Sequence, residues 1–366
     1  MFPGNRREMP IRISRGELTG ALGDSVTVLP VVVAVAALTE LALARLLLGF
    51  AVFQVAWGVH YGLPVSVEPM KALAALVIAG GLGSAELAVA GLLAGAVLLL
   101  IGATDTLSRV EWFIGRPVVR GVQLAVGLVL LEAGVELSLD GPVYALAALA
   151  VVVGSVAVGR RRVSALLVLA LGVGIAVATA GLPSPVVPTV GVTLPSRAGL
   201  SADAAGATVA QLAMTVGNAA VATSLLLTDY YDADVSPDDL ATSMGAMNLL
   251  AVPFGALPMC HGSGGVTGKY AFGARTAGSN LILGVLFGLA ALVGVGIVAA
   301  FPIAMLGVIL AVVGIELCRA GVDTSDRPLA VVVGAVGLVS NVGVAFLVGV
   351  VVHRVLSYRR PETASS

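Results

Sequence analysis

The chain has 366 residues, of which 58% are hydrophobic and 11% are charged, with 46 glycines and a formal net charge of −1. A soluble domain carries about 25% charged residues, so this composition excludes an ordinary soluble fold and gives no sign of nucleic-acid binding. The two cysteines, Cys260 and Cys318, provide neither a disulfide framework nor a metal-ligand spacing, and we expect no cofactor.

Long uncharged windows, such as 276–315 and 328–353, recur along the chain. A helix needs about 20 mainly apolar residues to cross a bilayer, and the alternating segments of a membrane β-barrel are absent from the sequence. The windows therefore predict an all-α integral membrane protein. In the first half the predicted membrane segments are 18–38, 41–59, 65–81, 85–102, 117–137, 142–159 and 163–181. In the second half they are 205–227, 239–253, 258–274, 276–299, 301–318 and a last pair within 328–356 that turns at Ser340 and Asn341.

About fourteen segments thus fall into two halves of seven. With an odd number in each half, the second half starts on the opposite side of the membrane and forms an inverted repeat. The predicted organisation is an N-terminal tail at 1–17, a first repeat at 18–181, a proline-rich connector at 182–204, a second repeat at 205–357 and a C-terminal tail at 358–366.

The placement of arginines predicts the orientation of the segments. Cytoplasmic loops carry an excess of Lys and Arg, and the basic clusters at 6–15, 109–116 and 160–162 all fall on one side in this layout. If 328–356 were a single segment, the arginines after residue 353 would lie on the opposite side of the membrane from these clusters, whereas two segments place them on the same side. We therefore predict a multi-pass protein of the cell membrane with both termini cytoplasmic.

Two proline-broken stretches stand at corresponding places in the two halves. Residues 64–70 and 253–259 both read Pro-x4-Pro-Met, at an offset of 189. Asp24 and Asn218, each preceded by glycine, follow a similar offset of 194. Paired interruptions of this kind are the best sequence indication of a binding site in a transporter. We predict two broken half-helices with the site between them.

Lysine is rare in the chain, since Lys71 and Lys269 are the only two, and each lies in or just after a break. Lys71 is predicted in the first turn of a helix that starts with Pro69, where a cation opposes the positive end of the helix dipole. One interpretation is that an anion binds Lys71 and the free amides of the helix start. Another is that Glu68 neutralises Lys71 and caps the helix. Both interpretations stay open, and they are compatible.

Other polar residues in apolar segments are further candidates. An acidic residue inside a membrane segment is functional by default, so Glu68 is a candidate for proton coupling. Asp24 and Asn218 are candidates for substrate binding, and Asp24 also for coupling, although interhelical hydrogen bonding is the common explanation of such residues. His261 can donate to an oxyanion or carry a proton. The rest of the predicted substrate-binding set is Met70, Cys260, Gly262 and Ser263, in which the glycine lets the backbone approach a ligand.

Motifs of enzymes are incomplete in this sequence. Residues 262–270, GSGGVTGKY, have Ser263 in place of the first glycine and Tyr270 in place of the final Ser or Thr of a phosphate-binding loop. The HGSGG stretch has no Gly-x-Ser-x-Gly nucleophile elbow to accompany it. We therefore expect that the protein is not an enzyme.

Four stretches resemble a known family. Residues 61–75, YGLPVSVEPMKALAA, and 244–279, which include PMCHG and FGART, resemble the two signatures of a molybdate transporter family related to the sulfate permeases. Residues 17–30 and 210–227 are similar to its first and mid-chain segments. The first signature commonly has glutamine where this chain has Glu68. The resemblance implies the fold of sulfate permeases and uracil permease, with fourteen segments in two inverted repeats, a core and a gate domain, and frequently a homodimer.

The function that the resemblance implies is uptake of molybdate, a tetrahedral dianion, by alternating access. Two helix starts of roughly half a positive charge each, together with Lys71, balance a dianion if Glu68 is protonated or displaced, which suggests proton symport. The expected partners are the anion, protons, the lipid bilayer and a second copy of the chain. Sulfate or tungstate is the alternative substrate, because these ions are alike in shape and charge. The alternative of another class is a non-transporting membrane subunit or an intramembrane enzyme. Either would require a second cluster of polar residues.

Overall fold

The structure, a computed structural model, describes residues 11–189, 191–192 and 196–359. These residues form sixteen α-helices and one two-stranded ladder. The predictions for residues 1–10 and 360–366, which make up most of the two tails, lie outside the described residues.

The helices follow one another with short connections. The first half contains α1 Arg15–Leu38, α2 Leu43–Tyr61, β1 Glu68–Pro69, α3 Lys71–Ile78, α4 Ser84–Ala103, α5 Leu107–Ile114, α6 Arg116–Leu139, α7 Pro142–Ala157 and α8 Ser164–Ala180. The second half contains α9 Ala202–Met214, a π-helical stretch Thr215–Val221, α10 Ala222–Tyr231, α11 Pro237–Ala251, β2 Met259–Cys260, α12 Ser263–Ala271, α13 Gly278–Ala300, α14 Ile303–Gly321, α15 Arg327–Val339 and α16 Val342–Arg359.

Much of the described chain has the length and hydropathy of membrane segments. Six helical stretches are long and apolar enough to cross a membrane: α1, α2, α4, α6, the continuous stretch Ala202–Tyr231, and α14. Shorter apolar helices include α7, α8, α15 and most of α16. The window 328–356 holds two helices separated by Ser340 and Asn341, as predicted. The chain therefore has several apolar helices, as expected of a multi-pass membrane protein.

The two halves of the chain pack reciprocally. Helix α4 packs against α11 and α2 packs against α13, while α6 packs along α14. Glycines set these distances, because a Cβ at Gly95 would overlap Asn248 and one at Gly58 would overlap Asn280. Small residues at such positions let apolar helices approach closely. The breaks are thereby enclosed by helices from both halves.

The two broken stretches meet in the interior as an antiparallel pair of two-residue strands. Glu68 lies opposite Cys260 and Pro69 opposite Met259. The ladder was absent from the all-α prediction, because runs of two residues carry no periodic signal and pair only once the two halves are assembled. Helix α3 begins at Lys71 rather than at the predicted Pro69, because Pro69 belongs to the ladder.

Carboxamide side chains from equivalent helices hold each strand in place. Asn248 of α11 donates to the carbonyl of Met259 (2.7 Å) and accepts from its amide (2.8 Å). Gln54 of α2 donates to the carbonyl of Val67 (3.1 Å), just before β1. Gln54 and Asn248 are 194 positions apart, the offset that also separates Asp24 from Asn218. These buried amides satisfy backbone groups that the broken helices leave unpaired.

Candidate functional site

The Glu68 carboxylate lies between the N-termini of the two half-helices. One oxygen, Oε2, accepts from the Lys71 ammonium at 2.6 Å, and the other, Oε1, accepts from the backbone amide of Gly265 at 2.5 Å. Lys71 is the first residue of α3, and Gly265 lies in the first turn of α12. The carboxylate thus bridges the starts of both half-helices, and the predicted Glu68–Lys71 ion pair is present.

The cap of α3 differs from the second interpretation of the sequence. The amides of Ala72 and Leu73 donate to Oε1 of Gln211, at 2.9 and 3.4 Å, and no described bond joins them to Glu68. The prediction that Glu68 caps its own helix is therefore wrong. Pairing of β1 with β2 directs the Glu68 side chain across the ladder to α12, and Gln211 from α9 takes the vacant capping position.

Several polar groups at the helix starts keep free bonding capacity. The first amides of a helix have no partner within the helix, and among the described residues no acceptor is bonded to the backbone amides of Lys71, Ser263 and Gly264. The Lys71 side chain is 26% exposed, whereas that of Glu68 is 1% exposed. Gly264 is also exposed. Together these groups form an accessible, electropositive spot suited to an anion.

Glycine at the start of α12 is required by this arrangement. A Cβ at Gly262 would overlap the Glu68 carboxylate, whereas one at Gly264 would lie 3.6 Å from Oε1, an ordinary contact. A Cβ at Gly265 would overlap Asp24 and Ser66. The absence of a Cβ at Gly262 and Gly265 therefore leaves room for the carboxylates of Glu68 and Asp24 at the start of α12.

Met70, Cys260 and Ser263 of the predicted set lie around the ladder. Met70 precedes α3 and donates its backbone amide to the carbonyl of Pro258 at 2.8 Å. The Cys260 thiol is buried and directs its weak donor to the carbonyl of Pro69 at 3.8 Å. Ser263 begins α12 and is partly exposed. Ser263 thus has solvent access beside Glu68, while Met70 and Cys260 are buried in the packing around the ladder.

His261 is buried in a separate hydrogen-bonded group. Its Nδ1 lies 3.0 Å from the carbonyl oxygen of Ser66, which requires a proton on Nδ1, and its Nε2 lies 2.8 Å from the Ser243 hydroxyl. The ring of Tyr61 packs edge-on at 5.9 Å. No described bond joins His261 to Glu68 or Lys71, so its ring positions the backbone between the two breaks.

Asp24 forms a buried ion pair with Lys269. Its Oδ2 lies 3.1 Å from the Lys269 ammonium and accepts from Gln54 at 3.0 Å, while its Oδ1 accepts from the Ser66 hydroxyl at 2.6 Å. Both members of the pair are fully buried. Asp24 lies against the first turn of α12 at Gly265, so it is adjacent to the Glu68 region with all its oxygens engaged.

Asn218 contacts a different part of the molecule. It lies in the π-helical stretch between α9 and α10, a feature frequently found at functional sites. Its amide donates to Oε1 of Gln123 on α6 at 3.3 Å, and the same oxygen accepts from Arg120 at 3.0 Å. Asn218 therefore connects the π-helical stretch to α6, and it makes no hydrogen bond to Glu68 or Lys71.

Four residues of the region were absent from the sequence-based set: Ser66, Gln54, Gln211 and Asn280. Each is a polar residue within an apolar stretch, the same signal that singled out Asn218. That signal does not say which partner a side chain meets. Among the described residues, no group of three His, Cys, Asp or Glu is placed to hold a metal ion.

Comparisons with known proteins agree on one family. The family model described as "Molybdate transporter of MFS superfamily" matches residues 16–130 and 203–317. Molybdate transporter 2 of Arabidopsis thaliana is 31% identical over 421 residues, covering 95% of this chain and 89% of the relative. Molybdate transporter 1 of the same plant is 31% identical over 432 residues, covering 100% and 94%. A molybdate transporter of Chlamydomonas reinhardtii is 27% identical over 495 residues, covering 98% and 95%.

Solved membrane-transporter structures share the fold of this chain. The transmembrane domain of the cyanobacterial bicarbonate transporter BicA superposes with a TM-score of 0.66 at 18% identity, covering 92% of this chain and 96% of that one. SLC26A9 superposes with a TM-score of 0.73 at 15% identity, covering 95% and 66%. At these identities the likeness establishes the fold and not the substrate.

Proposed function

We propose that this chain, which belongs to the molybdate transporter family, carries molybdate across a lipid bilayer by alternating access. The observation that carries the proposal is the Glu68 carboxylate between two half-helix starts, beside the partly exposed Lys71 ammonium and the unbonded amides of Ser263 and Gly264. In the structure a tethered anion already uses this spot. A tetrahedral oxyanion has the charge and the acceptor oxygens to replace it.

The charges of the site favour a dianion under one condition. Each helix start contributes roughly half a positive charge, and Lys71 adds one. With Glu68 ionised, the lysine is neutralised and about one positive charge remains. With Glu68 protonated or displaced, about two remain, which balances molybdate. We therefore propose proton-coupled uptake with Glu68 as the coupling group. Asp24 and His261 are weaker candidates for the coupling group, because their polar atoms are already engaged in hydrogen bonds.

The proposed architecture has fourteen membrane segments in two inverted repeats. The reciprocal packing of α2 with α13 and α4 with α11 supports it, as do the equivalent roles of Gln54 and Asn248. The two stretches matched by the family model begin 187 residues apart, close to the offsets of 189 and 194 within the sequence. This count includes the two broken segments, β1 with α3 and β2 with α12.

Transport in this architecture proceeds by motion of a core against a gate. We assign α1–α4 and α9–α13 to the core, which holds both breaks, and α6–α8 and α14–α16 to the gate. The contact of Asn218 in the core with Gln123 in the gate then lies at the moving boundary. We further propose a location in the cell membrane with both termini cytoplasmic, on the basis of the arginine-rich loops, and a homodimer, which the family resemblance implies.

Uptake by the purified protein in liposomes tests the function. Radiolabelled molybdate should accumulate in an inward proton gradient, and unlabelled sulfate and tungstate should be added as competitors. Stronger inhibition of molybdate uptake by sulfate than by unlabelled molybdate would assign the chain to the alternative substrate. In detergent, the transported anion should raise the melting temperature, because a ligand that binds the native state stabilises it. An absence of both uptake and stabilisation with all three anions would contradict an anion site.

A further inference from the structure

The ammonium of Lys269 lies in a cage of oxygen atoms separate from the Glu68 site. Its four oxygen neighbours are Asn280 Oδ1 at 2.8 Å, Gln54 Oε1 at 3.1 Å, the carbonyl oxygen of Val65 at 3.1 Å and Asp24 Oδ2 at 3.1 Å. The cage residues are fully buried, as is the lysine. Helices α1, α2 and α13 and the segment before β1 each contribute one oxygen, so the cage exists only in the assembled core.

The cage differs from a simple ion pair because three of its four oxygens are uncharged. The amide nitrogens of the two carboxamides are engaged with other cage members and with nearby carbonyls. Gln54 Nε2 donates to the cage oxygen Asp24 Oδ2 and to the carbonyl of Val67. Asn280 Nδ2 donates to two cage oxygens, Gln54 Oε1 and the carbonyl oxygen of Val65, and to the carbonyl of Gln54. Their oxygens are thereby held toward the ammonium whatever occupies the centre. This is a preorganised site for a cation, in which protein oxygens replace a hydration shell.

We propose that Asp24, Gln54, Val65 and Asn280 form a monovalent-cation site that Lys269 fills with its own ammonium. The cage carries one formal negative charge, on Asp24, so a single positive charge neutralises it, as burial requires. A divalent ion would leave an excess charge without a partner. An ammonium and K⁺ are similar in size and both accept oxygen neighbours, so we expect K⁺ to be the free ion that fits. If the proposed transport function holds, the tethered cation makes uptake independent of Na⁺ and K⁺.

Removal of the tethered cation should open the site to free cations. The purified full-length Lys269→Ala variant would be melted in KCl, NaCl, n-propylammonium chloride and N-methyl-D-glucamine chloride at equal ionic strength. n-Propylammonium supplies the deleted atoms from Cγ to Nζ. We expect K⁺ and n-propylammonium to raise the melting temperature of the variant by several degrees in a saturable manner, with the unsubstituted protein indifferent to the cation.

The double variant Lys269→Ala with Asp24→Asn is the matched control, because it keeps the cavity and loses the charge that attracts a cation. Its melting should not depend on the cation. Cation-independent melting of Lys269→Ala, or an equal response of the unsubstituted protein, would overturn the proposal. If Lys269→Ala does not yield folded protein, Lys269→Ser, which also leaves the cage open, is measured in the same salts with the same criterion. No anion is present in these measurements beyond chloride, so their outcome is independent of the transport assay.

Discussion

The carboxylate of Glu68 accepts a 2.5 Å hydrogen bond from the backbone amide of Gly265, which lies 197 residues further along the chain. The start of α12 is thus occupied by an anion that belongs to the protein. The same carboxylate neutralises Lys71 at the start of α3. In the proposed function, a substrate that binds these groups competes with Glu68, and a proton on Glu68 would weaken that competition.

Glu68→Gln should remove most of the pH dependence of uptake. Glutamine keeps an acceptor for the Gly265 amide and has no charge to compete with the substrate or to bind a proton. We expect the unsubstituted protein to transport faster as the pH falls and the variant to transport at a nearly constant rate, with tighter anion binding at neutral pH. Initial uptake rates between pH 5 and 8 in liposomes measure this. Parallel pH profiles for the two proteins would exclude Glu68 as the coupling group.

Lys71→Ala should reduce uptake about 10- to 100-fold, since a hydrogen bond to a charged group contributes about 1.5–3 kcal/mol. It should also weaken stabilisation by molybdate in detergent. Arg197→Ala is a suitable control, because this arginine is exposed and lies outside both breaks. Normal uptake by Lys71→Ala would contradict the charge balance of the site.

Gly262→Ala and Gly264→Ala should differ sharply although they are two residues apart. The new Cβ at 262 overlaps the Glu68 carboxylate and should displace it, which lowers both the melting temperature and transport. At 264 the new Cβ makes an ordinary contact, so folding should persist. Gly154→Ala in α7 has open space around it and should be neutral or slightly stabilising. Equal effects of the two substitutions at the start of α12 would argue against the observed position of Glu68.

Gln211→Leu should destabilise the protein by about 1–3 kcal/mol, because two buried amides of α3 lose their acceptor. The loss is measured as a lower melting temperature without ligand. Gln123→Leu is the matched control, since Gln123 accepts from the side chains of Arg120 and Asn218 and from no described backbone amide. Its substitution should cost less stability. A Gln211 variant as stable as the Gln123 variant would refute the capping role.

Much of the general architecture was predictable from the sequence. Apolar length predicted the membrane helices and the turn at Ser340–Asn341. The repeated prolines located the two breaks, and the spacing of Glu68 and Lys71 indicated their ion pair as one of two interpretations. These features are local, because each depends on residues that are near one another in the chain. The capping of α3 by Gln211 was not predictable, because 139 residues separate Gln211 from Ala72 and the two meet only through packing.

The sequence by itself determined that the chain is a membrane protein with two interrupted helices, because hydropathy and proline positions are properties of short segments. The resemblance of residues 61–75 and 244–279 to two family signatures indicated the family. Only the tertiary structure decided which charges meet. It directed Glu68 to the opposite half-helix through the β1–β2 ladder, and it enclosed Lys269 in oxygens from four separate segments. The physical reason is that a buried charge takes whichever partners the packed helices bring within hydrogen-bonding distance, and those partners are distant in the chain.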